Sequence, residues 1–360
     1  MAVVIGAVAS AALATSASQQ QLNGTVRALA WQSGYLYAGG DFTNAGTRVA
    51  RWSGTAWSAV CGGLSSDVHA LGTGVVLRPK RGNRQRPTNI YAGGFFSNAG
   101  GVAAADRIAR CNGTAWSALG NTSGGGTVLA ILRVGTSVYI GGDFTNWAGI
   151  ADADYVARWT GSAWTAVGGG VNGIVYALAW RSGSLYVGGN FANAGGIAAA
   201  DRVARWNGSS WSALGGGLSA APRALAFRGP LLYVGGTFLN AGGIAAADRV
   251  ASWDGSSWSA LGPGVNGAVY ALAVRGSTVY VGGEFTNADG IATADTLAEW
   301  NGSTWAAVCG GGLNDTSDEV YALLPRGAND LYVGGRFTNA GGVAAADNVA
   351  RCNTAGWSGL

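Results

Sequence analysis

Short apolar runs of about five residues, each closed by Gly, Asn, Ser or Asp, recur along almost the whole chain. Such runs read as strands and turns, and no 3.6-residue apolar period competes with them. They group into a longer unit. Tyr-x-Gly-Gly-x-Phe occurs seven times, at Tyr37, Tyr91, Tyr139, Tyr186, Tyr233, Tyr280 and Tyr332, in steps of 54, 48, 47, 47, 47 and 52 residues. Each copy holds four short β-type segments; in the fourth copy they are predicted over 175–180, 184–189, 202–206 and 210–214. Four antiparallel strands in roughly 40–50 residues make one propeller blade. The expected fold is therefore all-β, a seven-bladed β-propeller with four antiparallel strands per blade, plus an N-terminal extended arm. Blades are expected at about 26–60, 67–119, 127–167, 174–214, 222–261, 268–308 and 319–360. Residues 23–360 then form the propeller, and residues 1–22 belong to no blade.

Within each copy the third and fourth segments are joined by a glycine-containing pair, Asn207-Gly208 in the fourth copy. This predicts a two-residue hairpin turn with both positions at positive φ. The glycine pair after each tyrosine is expected where neighbouring blades crowd the backbone. Tryptophans ending the third segment (Trp52, Trp159, Trp206, Trp253, Trp300) and opening the fourth (Trp57, Trp116, Trp164, Trp211, Trp258, Trp305, Trp357) are assigned to the wedge between blades. Tyr-Val-Gly-Gly, a strand ending in Trp, a hairpin and Ser-Trp-Ser-Ala-Leu together resemble the kelch repeat. The chain is more closely similar to the LYVGGxFTxAGG…ARWDGSSWSALG repeats of large bacterial and eukaryotic cell-surface propellers, fungal polarity markers among them. The resemblance covers residues 26–360. It implies the propeller fold and says little about function, because kelch-like propellers host many functions.

Composition agrees with this picture. Glycine is 63 of 360 residues with only six prolines, aromatics reach 10% and charged residues only 11%. A disordered chain would show few aromatics and many charges. The net charge is +4, and five cations (Arg78, Lys80, Arg81, Arg84, Arg86) stand in one stretch. Without that basic loop the total is near neutral, so no nucleic-acid partner is expected.

The copies differ in informative ways. The first lacks five residues between Phe42 and Trp52, the second carries a twelve-residue insertion before Tyr91, and the seventh has five extra residues before Tyr332. Cys111 and Cys352 replace the third-segment tryptophan in the second and seventh copies, and Cys61 and Cys309 follow the fourth segment one copy earlier. Each pair thus occupies the same two repeat positions in adjacent blades. Disulfides Cys61–Cys111 and Cys309–Cys352 are expected; the alternative is four unrelated buried thiols, while a metal site lacks both Cys-x-x-Cys spacing and a histidine cluster. Disulfides imply an oxidising, extracellular or cell-surface setting, and these two would staple the blades flanking the ring seam.

Residues 1–22 admit two main readings. Val3, Val4, Ile5 and Val8 suit an assembly strand added to a sheet edge, on the same ring or a neighbour's, and head-to-tail donation would generate a filament. Alternatively the apolar, small-residue segment is a signal remnant. It is too short to span a membrane.

The chemistry of an enzyme is hard to assemble. His69 is the only histidine, which excludes a two-histidine copper site and any multi-histidine metal centre. It sits at a first-strand position held elsewhere by Arg27, Tyr176, Arg223, Tyr270 and Tyr321. No catalytic residue, metal or cofactor is expected. Asp106, Asp154, Asp201, Asp248, Asp295 and Asp347 recur at one loop position, where a loop hydrogen bond or local ion pair is expected instead of calcium. Sequons at Asn23, Asn112, Asn121, Asn207, Asn301 and Asn314 are candidates for N-glycosylation. Two functions follow. The first is a non-enzymatic extracellular structural protein that self-associates into a fibre or coat through residues 1–22. The second is a secreted binding module that holds a glycan or protein on the first-strand ring or on the basic loop.

Overall fold

The computed structural model describes residues 21–73, 89–313 and 317–360. The proposed assembly residues Val3, Val4, Ile5 and Val8, the basic residues Arg78, Lys80, Arg81, Arg84 and Arg86, and Asn314 lie outside the described residues. Among the described residues 28 strands, numbered β1–β28 in chain order, form seven four-stranded antiparallel meanders. The chain is a seven-bladed β-propeller. The innermost strands are β1 (Val26–Gln32), β5 (Val68–Thr73), β9 (Val128–Val134), β13 (Ile174–Arg181), β17 (Pro222–Arg228), β21 (Ala268–Arg275) and β25 (Glu319–Arg326). Each packs on the next, and β25 packs on β1, so the ring closes.

Crowding at the axis explains the glycine pairs. A Cβ on Gly235 would lie 2.4 Å from Val269 Cγ1 of the following blade, and one on Gly334 would lie 2.7 Å from Val26 Cγ1 across the seam. Side chains are thus excluded where the next innermost strand presses in. The second glycine answers a different constraint, within its own sheet. A Cβ on Gly283 would lie 2.0 Å from the carbonyl oxygen of Ala268.

Between blades the tryptophans supply both area and hydrogen bonds. Trp206 and Trp211 stand 5.5 Å apart, and Trp211 Nε1 donates to the Gly168 carbonyl of the preceding blade at 2.9 Å. The bond recurs from Trp258 to Leu214 (3.0 Å) and from Trp305 to Leu261 (2.7 Å). At the seam Trp57 Nε1 donates to the Leu360 carbonyl at 3.2 Å. Leu22, Val26, Val349 and Leu360 share one buried cluster there. First and last blades therefore meet through the same contact as blades joined by Trp211, Trp258 or Trp305.

The expected disulfides are present, with Cα atoms 6.3 Å apart for Cys61–Cys111 and 6.1 Å for Cys309–Cys352. In the ordinary blades the position of Cys61 and Cys309 is a glycine, such as Gly168 or Gly215, at a φ of 57°. The third-strand tryptophan lies over that glycine: a Cβ on Gly168 would sit 2.2 Å from the Trp206 ring. Cystine therefore replaces a glycine–tryptophan pair as a unit. Cys61 and Cys309 keep the left-handed backbone, at φ 51° and 52°. At the same two junctions Trp116 and Trp357, in the blades that follow, leave their buried Nε1 atoms without a hydrogen-bond partner. The covalent bridge takes over a junction from which that hydrogen bond is missing.

The third-to-fourth-strand turn differs from expectation. Trp206 pairs with Trp211, and Asn207 N donates to the Ser210 carbonyl at 3.2 Å, so the two central residues are Gly208 and Ser209. Only Gly208 has positive φ, 104°. This is the turn class with glycine first. Asn207 flanks the turn, its Oδ1 accepting from Ser209 N (2.9 Å) and Ser210 N (2.8 Å). The side-chain acceptor, not a positive φ, explains why Ser, Thr or Asp can stand there.

Candidate functional site

The innermost strands place one residue of each blade at the axis. Arg27, His69, Leu129, Tyr176, Arg223, Tyr270 and Tyr321 line a single open cavity of about 320 Å³. Six of the seven are the residues singled out from the sequence. Leu129 was missed, because attention to polar and aromatic side chains passed over the aliphatic member of the ring.

A backbone irregularity aims these side chains. In β1, Val26 pairs with Gly40 and Ala28 with Gly39, which leaves Arg27 as an extra, unpaired residue. The same shift brackets His69, Tyr176, Arg223, Tyr270 and Tyr321, and Leu129 in β9. A β-bulge redirects the side chain of its extra residue. Opposite each bulge stands the second glycine of Tyr-x-Gly-Gly, where a Cβ would collide with the carbonyl preceding the bulge. The glycine pair thus permits the bulge, and the bulge builds the mouth.

Around the ring, aromatic and charged groups are already engaged with one another. Tyr270 and Tyr321 stack with centroids 5.4 Å apart and an interplanar angle of 21°. Arg223 lies 3.9 Å over the Tyr176 ring, and Arg27 lies 5.5 Å over that of Tyr321. Arg27 pairs with Asp41 at 3.3 Å. Tyr270 donates to Glu284 Oε2 at 2.8 Å, and Tyr321 donates to Glu319, which also pairs with Arg336 at 3.0 Å. Asp41, Glu284 and Arg336 occupy the position just after the glycine pair, a second tier that the sequence reading overlooked. Its signal was available, as the variable residue in Gly-Gly-x-Phe.

Burial, then the bond to Glu319, pushes the Tyr321 phenol up to about 12. Burial and Glu284 raise Tyr270 as well. Burial first, and then the nearby Arg27 charge, hold the His69 imidazole below its ordinary value. At neutral pH the mouth therefore presents protonated phenols, a neutral imidazole and guanidinium groups. Arg223 is exposed and, among the described residues, forms no ion pair.

The other sequence-derived candidates scatter. Asp106, Asp154, Asp248 and Asp347 each accept a hydrogen bond from a backbone amide eight residues earlier, at 2.6–2.7 Å, so the loop hydrogen bond is what the structure shows at four of the six positions. Asn23, Asn112, Asn121, Asn207 and Asn301 are all exposed. Asn112, Asn207 and Asn301 lie in third-to-fourth-strand turns, whereas Asn23 precedes the first blade and Asn121 lies between the second and third. Asn23 Oδ1 accepts from Thr43 N at 2.8 Å. No group of three His, Cys, Asp or Glu residues that could hold a metal occurs among the described residues, and no helix there is long and apolar enough to cross a membrane.

No known protein-family profile matches the chain, and no curated protein does. Solved structures do. A structure of YCF48 bound to D1 peptide is similar with a TM-score of 0.53 at 14% identity, covering 88% of this chain and 93% of that one. The WD40 β-propeller domain of Doa1 is similar with a TM-score of 0.51 at 14% identity, over 92% of this chain and 94% of that one. YCF48 from Cyanidioschyzon merolae gives 0.50 at 9% identity, over 88% and 94%. These likenesses are to the propeller fold and carry no family membership.

Proposed function

We propose that this chain is a non-enzymatic, extracellular binding module whose axial mouth holds an acidic segment of a protein partner. The carrying observation is the convergence of seven bulged residues on one cavity, with Arg223 exposed, stacked on Tyr176 and free of an ion pair. A carboxylate of the partner would take the Arg223 fork, which suits planar anions. The Leu129 side chain and the Tyr270–Tyr321 stack would hold the flanking apolar groups. Protonated phenols and a neutral imidazole offer such a segment hydrogen-bond donors and acceptors beside the guanidinium groups. The two disulfides support an oxidising setting. A solved propeller of this fold, YCF48, carries a bound peptide. Kelch-like repeat ancestry and glycosylation at the exposed sequons remain parts of the proposal. The binding reading is preferred to assembly through residues 1–22 because seven bulged residues converge on one cavity.

The test is selection from a displayed peptide library with the whole chain, followed by titration of selected peptides against Arg223→Gln and Tyr270→Ala. Acidic peptides that lose at least tenfold in affinity on either variant are expected. Selected peptides that bind both variants as tightly as the parent would refute the mouth as the site.

A further inference from the structure

The near-neutral charge outside the basic insertion hides a separation by face. The innermost strands begin at the mouth face and end at the opposite face, which also carries the first-to-second and third-to-fourth-strand turns. On that opposite face the third residue of the third strand is Arg51, Arg110, Arg158, Arg205 or Arg351 in five blades. The end of the innermost strand contributes Arg133, Arg181, Arg228, Arg275 and Arg326. Only Asp254, Glu299 and Asp330 oppose these ten arginines. The mouth face carries seven arginines against fourteen carboxylates, so the described residues are neutral in total but split seven charges each way.

The opposite-face arginines are held in an unusual way. On the mouth face Arg27, Arg48 and Arg336 are paired with carboxylates. Among the described residues of the opposite face only Arg351 is, to Asp330 at 2.8 Å. Most of the others lie over aromatic rings, among them Arg51 over Tyr35 (4.9 Å), Arg158 over Tyr139 (5.6 Å), Arg181 over Phe227 (5.3 Å) and Arg326 over Trp31 (4.5 Å). A ring fixes a guanidinium without cancelling its charge, whereas a carboxylate neutralises it. The result is an ordered array of cations, most of them without a paired carboxylate.

We propose that this face is a second binding surface, for an anionic polysaccharide bearing repeated carboxylate or sulfate groups. Such a polymer presents planar or tetrahedral anions along a flexible chain, which the guanidinium forks can take two oxygens at a time. Nucleic acid fits less well, because stacking of bases needs free aromatic faces. Tyr139 and Tyr332 are only 5% and 7% exposed, and the half-buried rings of Tyr35, Phe227 and Trp31 are covered by Arg51, Arg181 and Arg326. The surface is independent of the mouth and shares with it only the extracellular setting.

The experiment compares three variants of the whole chain on immobilised heparin and alginate under a salt gradient. Arg110→Gln/Arg158→Gln/Arg205→Gln alters exposed opposite-face residues. Arg107→Gln/Arg202→Gln/Arg249→Gln removes the same charge from the mouth face. The third variant replaces Arg78, Lys80, Arg81, Arg84 and Arg86 with Gln. The first is expected to weaken binding at least tenfold and the second less than twofold. Equal losses from both would reduce the effect to net charge and overturn the proposal. So would loss of all binding in the insertion variant with none in the first, or stronger competition by duplex DNA than by heparin. Should the first variant fold poorly, hydrogen exchange of the unaltered chain with heparin oligosaccharide decides: protection confined to mouth-face loops overturns the assignment.

Discussion

Cys309–Cys352 and its glycine–tryptophan counterpart should be interchangeable, but only as a pair. The bridge spans 43 residues of sequence. Closing a loop of that length removes chain entropy worth about 4 kcal/mol from the unfolded state, so Cys309→Ser/Cys352→Ser should lose about 3–4 kcal/mol. Cys309→Gly/Cys352→Trp should recover about 2–3 kcal/mol of that. Restoring a tryptophan pair contributes about 1 kcal/mol beyond its area. A carbonyl for Trp357 Nε1, now unpartnered, is worth about 1 kcal/mol. Glycine at the left-handed position, where Cys309 has φ 52°, relieves about 1 kcal/mol more. Cys352→Trp alone should be the least stable of the set. The indole would meet a side chain where Trp206 meets none, a Cβ on Gly168 falling 2.2 Å from that ring. Urea denaturation of the purified variants under oxidising conditions reads these differences as midpoints. A swap no more stable than the serine pair, or a lone Cys352→Trp as stable as the double, would refute the equivalence of the two junctions.

Three further outcomes are expected. Gly235→Val should destabilise by about 1–3 kcal/mol, the usual cost of overpacking, since its Cβ would lie 2.4 Å from Val269 Cγ1; an unchanged denaturation midpoint would contradict the crowding argument. The His69 imidazole is held below its ordinary value by burial and Arg27, so on acidification the unfolded chain takes up that proton first. The associated stability is present above about pH 6.5 and is lost as pH falls through the folded value; the NMR titration of this single histidine checks it, and a raised value would reverse the sign. The Tyr321 phenol, raised to about 12, stays protonated while the unfolded phenol ionises near 10. Its contribution is complete below about pH 10 and fades as pH rises through 12, which tyrosinate absorbance of wild type against Tyr321→Phe measures; an ordinary midpoint for Tyr321 would remove the effect.

Repetition made much of this molecule readable. A residue recurring at one place in seven copies has one environment, so aligning the copies places Arg27, His69, Tyr176, Arg223, Tyr270 and Tyr321 together without coordinates. The same alignment paired the cysteines, because each departure from the repeat had a matching departure one blade away. Its limits are also visible. Leu129 occupies the same place but carries no chemical signal. The turn at Gly208-Ser209 was misjudged by one residue, because Asn-Gly suggests its own turn class when the side-chain acceptor of Asn207 is ignored.

Blade number, cystine pairing and ring membership were determined by the sequence by itself, since each is a property of periodicity along the chain. Where those residues point was decided only by tertiary structure. The bulges that turn Arg27 and its counterparts toward the axis arise from registry between two strands, which no single segment displays. The separation of charge is likewise a spatial fact. A net charge is a sum without direction, and only the folded ring sends most arginines to one face and most carboxylates to the other.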